Sequence, residues 1–306
     1  MSHATSLLPI AGLHHVTAIS GAPQRNVDFY TGAIGQRLVK KTVNFDDPGT
    51  YHLYYGDYDA NPGSILTFFP YVGAKPGRTG AGMARSFAYS IRPQDFDALA
   101  DRLEGVSTRA DRFGDKVLQV TDPDGQMLEF ITDTHAAEAP GAFHSAALWS
   151  AAPEKTARIL TEAFGYAEVG SERGEGGEWL RLALPDSGTG KIIDLWRADT
   201  ALRAQPGAGT IHHIAFRASD NDNQDELREK LLSMGQQVTP RIDRQYFNAI
   251  YFREPGGVLF EVATDQPGFT IDEPLETLGT ALKLPPQYEA QRAQIEAHLP
   301  PVKVSA

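Results

Sequence analysis

Apolar residues along the chain follow two rhythms, an alternation typical of strands and a wider spacing typical of helices. GLHHVTAI (12–19), RSFAYSI (85–91), FHSAALW (143–149) and TIHHIAF (210–216) read as strand starts. VDFYTGAIGQRLV (27–39) and ARILTEAFGYAEV (157–169) carry apolar positions at helical spacing, stopped by Gly35 and Gly165. FDALADRLEG and DELREKLLSMG read as polar helices in the corresponding places of the other two segments. An acidic residue, Pro and Gly then turn the chain into a strand bearing one Glu, in DPDGQMLEF (122–130) and again in EPGGVLFEV (254–262). Glu129 and Glu261 therefore share one slot.

These echoes divide the chain into four units starting near residues 12, 84, 142 and 210, each ordered strand, helix, several strands. One such unit has a single apolar sheet face and too few strands to stand alone, so units are expected to pair. The expected fold is α+β, four βαβββ units forming two domains, 10–138 and 139–265. After Thr264 the chain turns Pro-rich around one polar helix, PQYEAQRAQIEAHL, so 266–306 is expected as a tail packed over the body or a neighbouring subunit.

Composition narrows the chemistry. With 28 Lys and Arg against 39 Asp and Glu the net charge is −11, which repels a phosphate backbone and disfavours nucleic-acid binding. No apolar run is long enough to span a bilayer, and MSHATSLLPI lacks the pattern of an export signal, so a cytoplasmic location is expected. Zero cysteines remove disulfides, thiolate metal sites and thiol nucleophiles, leaving His, Asp and Glu as the metal ligands available.

Two adjacent His-His pairs occur among nine histidines, where chance predicts about 0.26. Both open a unit at equivalent positions, and a strand Glu closes the later one. Two His and one carboxylate without thiolate suit non-haem Fe(II), with Mn(II) as competitor, because open positions remain for oxygen and substrate. Neighbouring strand residues face opposite ways, so His213 lies with Ala215 on the small-residue face, whereas His212 lies with Ile214 and Phe216. The same alternation selects Glu261 and His15. His144 opens the third unit in a similar way, and spacing alone leaves His144, His213, Glu261 as an equal alternative. His52, in the aromatic strand YHLYYGD, reads as a packing residue. VGAKPGRTGAG (72–82) lacks the P-loop pattern and reads as a loop, and ERGEGGEW (172–179) as a charged hairpin tip.

LHHVTAISG, FYTGAIGQRLVKKTVNFDDPGTYHLYYGD, PGSILTFFP and RQYFNAIYFREPGGVLFEVATD resemble the vicinal oxygen chelate superfamily of glyoxalases, extradiol dioxygenases and bleomycin-resistance proteins. Within it they resemble bacterial ring-cleaving dioxygenases of the hydroquinone 1,2-dioxygenase type. The resemblance implies metal ligands His15, His213 and Glu261, a pairing of units one and four around the metal, and demotion of His144. It also implies substrate contacts from His14, Thr17 and Arg244, and catalytic roles for His212, Tyr251 and Arg244. Strict alternation turns His14 and His212 away from the metal, so they can approach substrate only at strand mouths or bulges. The implied partners are an aromatic diphenol and O₂. A glyoxalase-like lyase would need a fourth ligand near Thr67, Phe68 and Phe69, where no carboxylate stands, and a non-catalytic aromatic-binding protein would not need the triad. The Pro-rich tail is taken to imply a homo-oligomer.

Overall fold

The structure is a computed structural model describing residues 10–103, 105, 107–136, 141–185 and 190–304. The expected boundary at 138/139, the first nine residues and the last two of the tail lie outside the described residues.

Each unit folds as one strand, one helix and three strands. The first comprises β1 (Leu13–Ser20), α1 (Pro23–Val27), β2 (Arg37–Asn44), β3 (Asp47–Gly56) and β4 (Ile65–Pro70). The second holds β5 (Met83–Ile91), α2 (Phe96–Arg102), β6 (Ser107–Arg112), β7 (Asp115–Thr121) and β8 (Met127–Thr132). The third holds β9 (Phe143–Trp149), α3 (Pro153–Glu162), β10 (Ala167–Gly174), β11 (Gly177–Ala183) and β12 (Ile192–Ala198). The fourth holds β13 (Thr210–Ala218), α4 (Asn221–Ser233), β14 (Ile242–Asp243), β15 (Phe247–Arg253) and β16 (Leu259–Pro267).

The helices start and stop where local chemistry dictates. Pro23 and Pro153 sit in the first turns of α1 and α3, where a missing N–H costs nothing, and Asp220 caps α4 by accepting from the Asn223 N–H. A π-helical turn, Asp28–Ile34, extends α1 until Gly35 leaves it at φ +84, as Gly165 does after α3 at φ +83. Both angles are ones a side chain would resist.

Two eight-stranded sheets result, ordered β14-β15-β16-β13-β1-β4-β3-β2 and β10-β11-β12-β9-β5-β8-β7-β6. Within a unit the first and last strands pair in parallel, and units join through antiparallel β1/β13 and β5/β9. Units one and four thus share the first sheet, and units two and three the second. The division into 10–138 and 139–265 follows the repeats of the sequence, but each sheet takes one unit from each half. The linkers after β4 and β12 run side by side through Pro76/Ala208, Arg78/Gln205 and Ala81/Arg203 bridges.

Alternation sorts the strand faces. Val16, Ala18, Ile214, Phe216, Phe260 and Val262 enter the main core with the helices, while His15, His213 and Glu261 point to the opposite, concave face. Tyr30 shows how the core joins the halves: its ring packs on Tyr55 and Phe68 of the first sheet, and its hydroxyl donates to Asp122 of unit two.

The tail packs on its own chain. Buried Lys40 of β2 pairs with Asp272 and Glu273 at 2.6 and 2.5 Å, Lys283 N–H donates to the Lys41 carbonyl, and Tyr51 donates to that of Pro300. Unit one therefore already supplies the surface the tail needs, and the inference from tail to oligomer loses its footing. Its helix is split into a 3-10 segment, Pro286–Gln291, and α5 (Arg292–His298). Among the described residues no helix is long and apolar enough to cross a membrane.

Candidate metal centre

β1, β13 and β16 are neighbours in the first sheet, which brings together residues up to 246 positions apart in the chain. His15 Nε2 lies 3.3 Å from His213 Nε2 and 3.3 Å from Glu261 Oε2, and His213 Nε2 lies 2.8 Å from the same oxygen. All three side chains are buried, and both Glu261 oxygens lack a well-directed hydrogen bond. A buried carboxylate without such partners is costly unless a cation answers it. Ligand atoms about 3 Å apart suit adjacent positions around an ion with bonds of about 2.0–2.2 Å. The donor set therefore fits a divalent metal. Burial alone would raise the Glu261 pKa, but His15 and His213 beside it hold it well below the usual carboxylate range.

Hydrogen bonding fixes which imidazole nitrogen is free. Burial, then neighbouring His15, lowers the His14 pKa to about 3, so His14 is neutral. Its Nε2 faces the Thr264 carbonyl at 3.2 Å and must donate, leaving its Nδ1 to accept from His15 Nδ1 at 2.9 Å. His15 Nε2 then carries a lone pair toward the centre. His212 Nδ1 faces His213 Nδ1 at 2.8 Å in the same manner, so the second pair repeats the device.

Both partner histidines stand on bulges. The register of β1 with β13 slips between Leu13 and His15 opposite Phe216 and Ala215, which leaves His14 as an extra residue. It slips again where Thr17 and Ala18 face His213 and Ile211, leaving His212 extra. Each bulge re-aims a side chain that alternation alone would turn into the core. His212 consequently reaches the cavity mouth and is exposed.

The triad forms the floor of a cavity of about 600 Å³, walled by Ile19, Tyr54, Phe69, Phe247 and Leu259. Tyr251 and Arg244 line it too, with Arg244 Nε donating to the Tyr251 hydroxyl at 3.2 Å and Nη1 pairing with Asp46 at 3.3 Å. Burial first, then Glu261, raises the Tyr251 pKa well above its ordinary value, so the phenol stays protonated. His14 and Thr17, expected at substrate, do not line this cavity: His14 stands behind His15, and Thr17 accepts from Thr67.

His52 packs between the rings of Tyr54 and Phe69, as expected for it, and in addition lines the cavity. It belongs to a directed chain in which Tyr54 O–H donates to His52 Nδ1, His52 Nε2–H to Thr67 Oγ1, and Thr67 to Thr17, each at 2.8 Å. Burial lowers its pKa well below the ordinary value and keeps it neutral. The signal for His52 was its position two residues from Tyr54 on the same strand face, readable once β3 is known to lie beside β4. Thr67 faces Thr17 in β4 as Glu261 faces Ala215 in β16, so a hydroxyl fills the slot of a fourth ligand.

His144 sits in the other sheet. There it is the bulge residue, with Nδ1 on Ser145 Oγ at 3.0 Å, and Ser145 takes the place that His15 has in the first sheet.

The profile of the Glyoxalase/Bleomycin resistance protein/Dioxygenase superfamily matches residues 12–130 and 142–262. The chain belongs to this superfamily. Among its members the chain is 45% identical over 308 residues to a Bacillus subtilis protein named "Putative ring-cleaving dioxygenase MhqO", covering 96% of this chain and 97% of that one. It is 33% identical to the chlorohydroquinone/hydroquinone 1,2-dioxygenase of Sphingobium indicum, over 94% of this chain and 95% of the relative. The crystal structure of a Bacillus subtilis protein named "putative dioxygenase" superposes with a TM-score of 0.90 at 43% identity, covering 97% and 99% of the two chains. Maize glyoxalase I, at 16% identity and a TM-score of 0.63 over 83% of this chain and 92% of its own, shares the superfamily fold.

Proposed function

We propose that the chain is a metal-dependent ring-cleaving dioxygenase acting on a hydroquinone or related diphenol, with His15, His213 and Glu261 holding the metal. The observation that carries this reading is the convergence of three buried ligand atoms on the floor of an aromatic-walled cavity, in a chain whose relatives are named ring-cleaving dioxygenases. Fe(II), with Mn(II) as the substitute, would supply a Lewis-acidic, redox-active centre with positions left open for a ring hydroxyl and O₂.

The protein's own groups do the rest. Phe69, Phe247 and Leu259 wall the cavity with apolar surface that takes a flat ring and excludes water. Tyr251, protonated and oriented by Arg244, presents a donor to a ring oxygen. Arg244 stays cationic, because Tyr251, Asp46 and Glu261 outweigh the effect of its burial, and so favours negative charge developing on the substrate. His212, neutral with its Nδ1 engaged by His213, offers its Nε2 proton at the cavity mouth. Cleavage of a ring carbon–carbon bond with both oxygen atoms retained gives an open-chain acid. We place the reaction in the cytoplasm, in keeping with a chain devoid of cysteine.

The test is oxygen uptake by protein loaded anaerobically with Fe(II), offered methyl- and chloro-substituted hydroquinones beside catechols. Uptake with hydroquinones, abolished in His15→Ala and kept in His144→Ala, is expected. Absence of uptake with every diphenol would sink the reading.

A further inference from the structure

The second sheet keeps a cavity at the place where the first carries its metal cavity. Register defines the correspondence: Ala88 faces Glu129 as Ala215 faces Glu261, and Ala147 faces Asp194 as Thr17 faces Thr67. By the same register Trp149, Trp196 and Met127 stand where Ile19, Phe69 and Leu259 stand, and Arg85, a bulge residue, stands where His212 does. A cavity of about 420 Å³ lies there, lined by Arg85, Met127, Trp149, Trp196, Thr79 and Thr200 among others.

Glu129 acts on Arg85 only through space, and no carboxylate pairs with it directly among the described residues. Its guanidinium lies over the rings of Trp179 and Trp196, 5.1 and 4.8 Å from their centroids, and makes no hydrogen bond or ion pair among the described residues. The other arginines beside it are spoken for, Arg112 by Glu129 and Asp194 and Arg181 by Asp194. A half-buried guanidinium resting on indole presents in-plane N–H donors, a fork that matches a carboxylate. The surrounding indoles offer faces for stacking a flat ring.

We propose that this cavity is a second ligand site, selective for a planar aromatic carboxylate held by Arg85 against Trp149 and Trp196. Among the described residues it contains no metal-ligand set, and it is independent of the reaction assigned to the first sheet.

The chain's three tryptophans all belong to this cavity or its wall, and none lines the metal cavity among the described residues. Indole fluorescence thus reads this site selectively. Benzoate is the probe, with benzamide to remove the charge and acetate to remove the ring. Benzoate should change the emission saturably, neither control should, and Arg85→Gln should weaken binding at least about tenfold. Arg85→Lys, which keeps the charge but loses the fork, should fall between them. An unchanged far-ultraviolet dichroism spectrum and thermal unfolding midpoint verify that each variant is folded, and Glu261→Ala should bind benzoate as the parent does. A linear or absent response to benzoate, equal binding of benzamide, indifference to Arg85→Gln in the folded variant, or loss of the signal in Glu261→Ala would each overturn the proposal.

Discussion

In the first sheet Glu261 faces two imidazoles, and in the second its counterpart Glu129 faces a guanidinium. Ser86 and Ser145 occupy the places of His213 and His15 there. Arg112, seven residues before Gln119 as Arg244 is seven before Tyr251, extends into the vacated centre. Its Nη2 donates to Glu129 at 2.8 Å, and its Nε lies 3.1 Å from Asp194, which Arg181 also holds. Gln119 and Ser86 complete the shell around Glu129.

The same buried carboxylate thus receives a tethered cation in one sheet and a place for an exchangeable one in the other. A guanidinium satisfies charge and hydrogen bonding, but it has no vacant position for a third molecule and carries no lone pair chemistry. Two imidazoles whose Nδ1 positions are locked leave lone pairs directed at one point, and three ligands leave other positions open. On the proposed reading the first sheet holds the catalytic centre, while among the described residues the second is braced by ion pairs.

This contrast can be broken most forcefully at the triad. His15→Ala, or Glu261→Ala, should lower hydroquinone-dependent oxygen uptake by at least about a thousandfold, whereas His144→Ala should leave it within about twofold. In the second sheet Arg112→Ala strands Glu129 and part of the Asp194 charge, and should cost about 3–5 kcal/mol in denaturant unfolding. Activity per folded molecule should survive that change. An Arg112→Ala protein as stable as its parent would refute the structural-cation role.

Smaller effects sharpen the picture. His14→Ala and His212→Ala free the Nδ1 of a triad imidazole, and each should weaken metal affinity about 10- to 100-fold in competition titrations. His144 responds to pH. Burial, then Arg181, lowers its folded pKa to about 4, below the 6.5 of an exposed imidazole. The unfolded chain therefore binds the proton first, and stability falls as pH drops from 6.5 toward 4. His144→Gln should recover about 1–2 kcal/mol of the loss at pH 5, measured by unfolding at pH 7 and pH 5. A parallel loss in parent and variant would show that His144 does not titrate in this way.

Much of this was legible in the sequence because alternation holds along the strands between their bulges. The contrast between Ala215 and Ile214 beside the two histidines chose the concave face, and the repeated turn before Glu129 and Glu261 marked the closing strand. A bulge has no signature in composition. One extra residue in β9 puts Ser145, and not His144, in the place of His15, and bulges at His14 and His212 turn two helix-side residues into partners of the ligands. The pairing of unit one with unit four rested on family resemblance, since each unit exposes a similar edge strand. Arg112 could be matched with Arg244 only after both sheets had been aligned by register. His52 was hidden in an aromatic strand whose neighbour, β4, the sequence did not identify.

Anaerobic titration with Fe(II), followed by metal analysis after removal of unbound ion, tests the central claim directly. One ion per chain, lost in His15→Ala and retained in His144→Ala, is the predicted result. Two ions per chain, or loss of the ion in His144→Ala with retention in His15→Ala, would contradict a single metal centre in the sheet formed by units one and four.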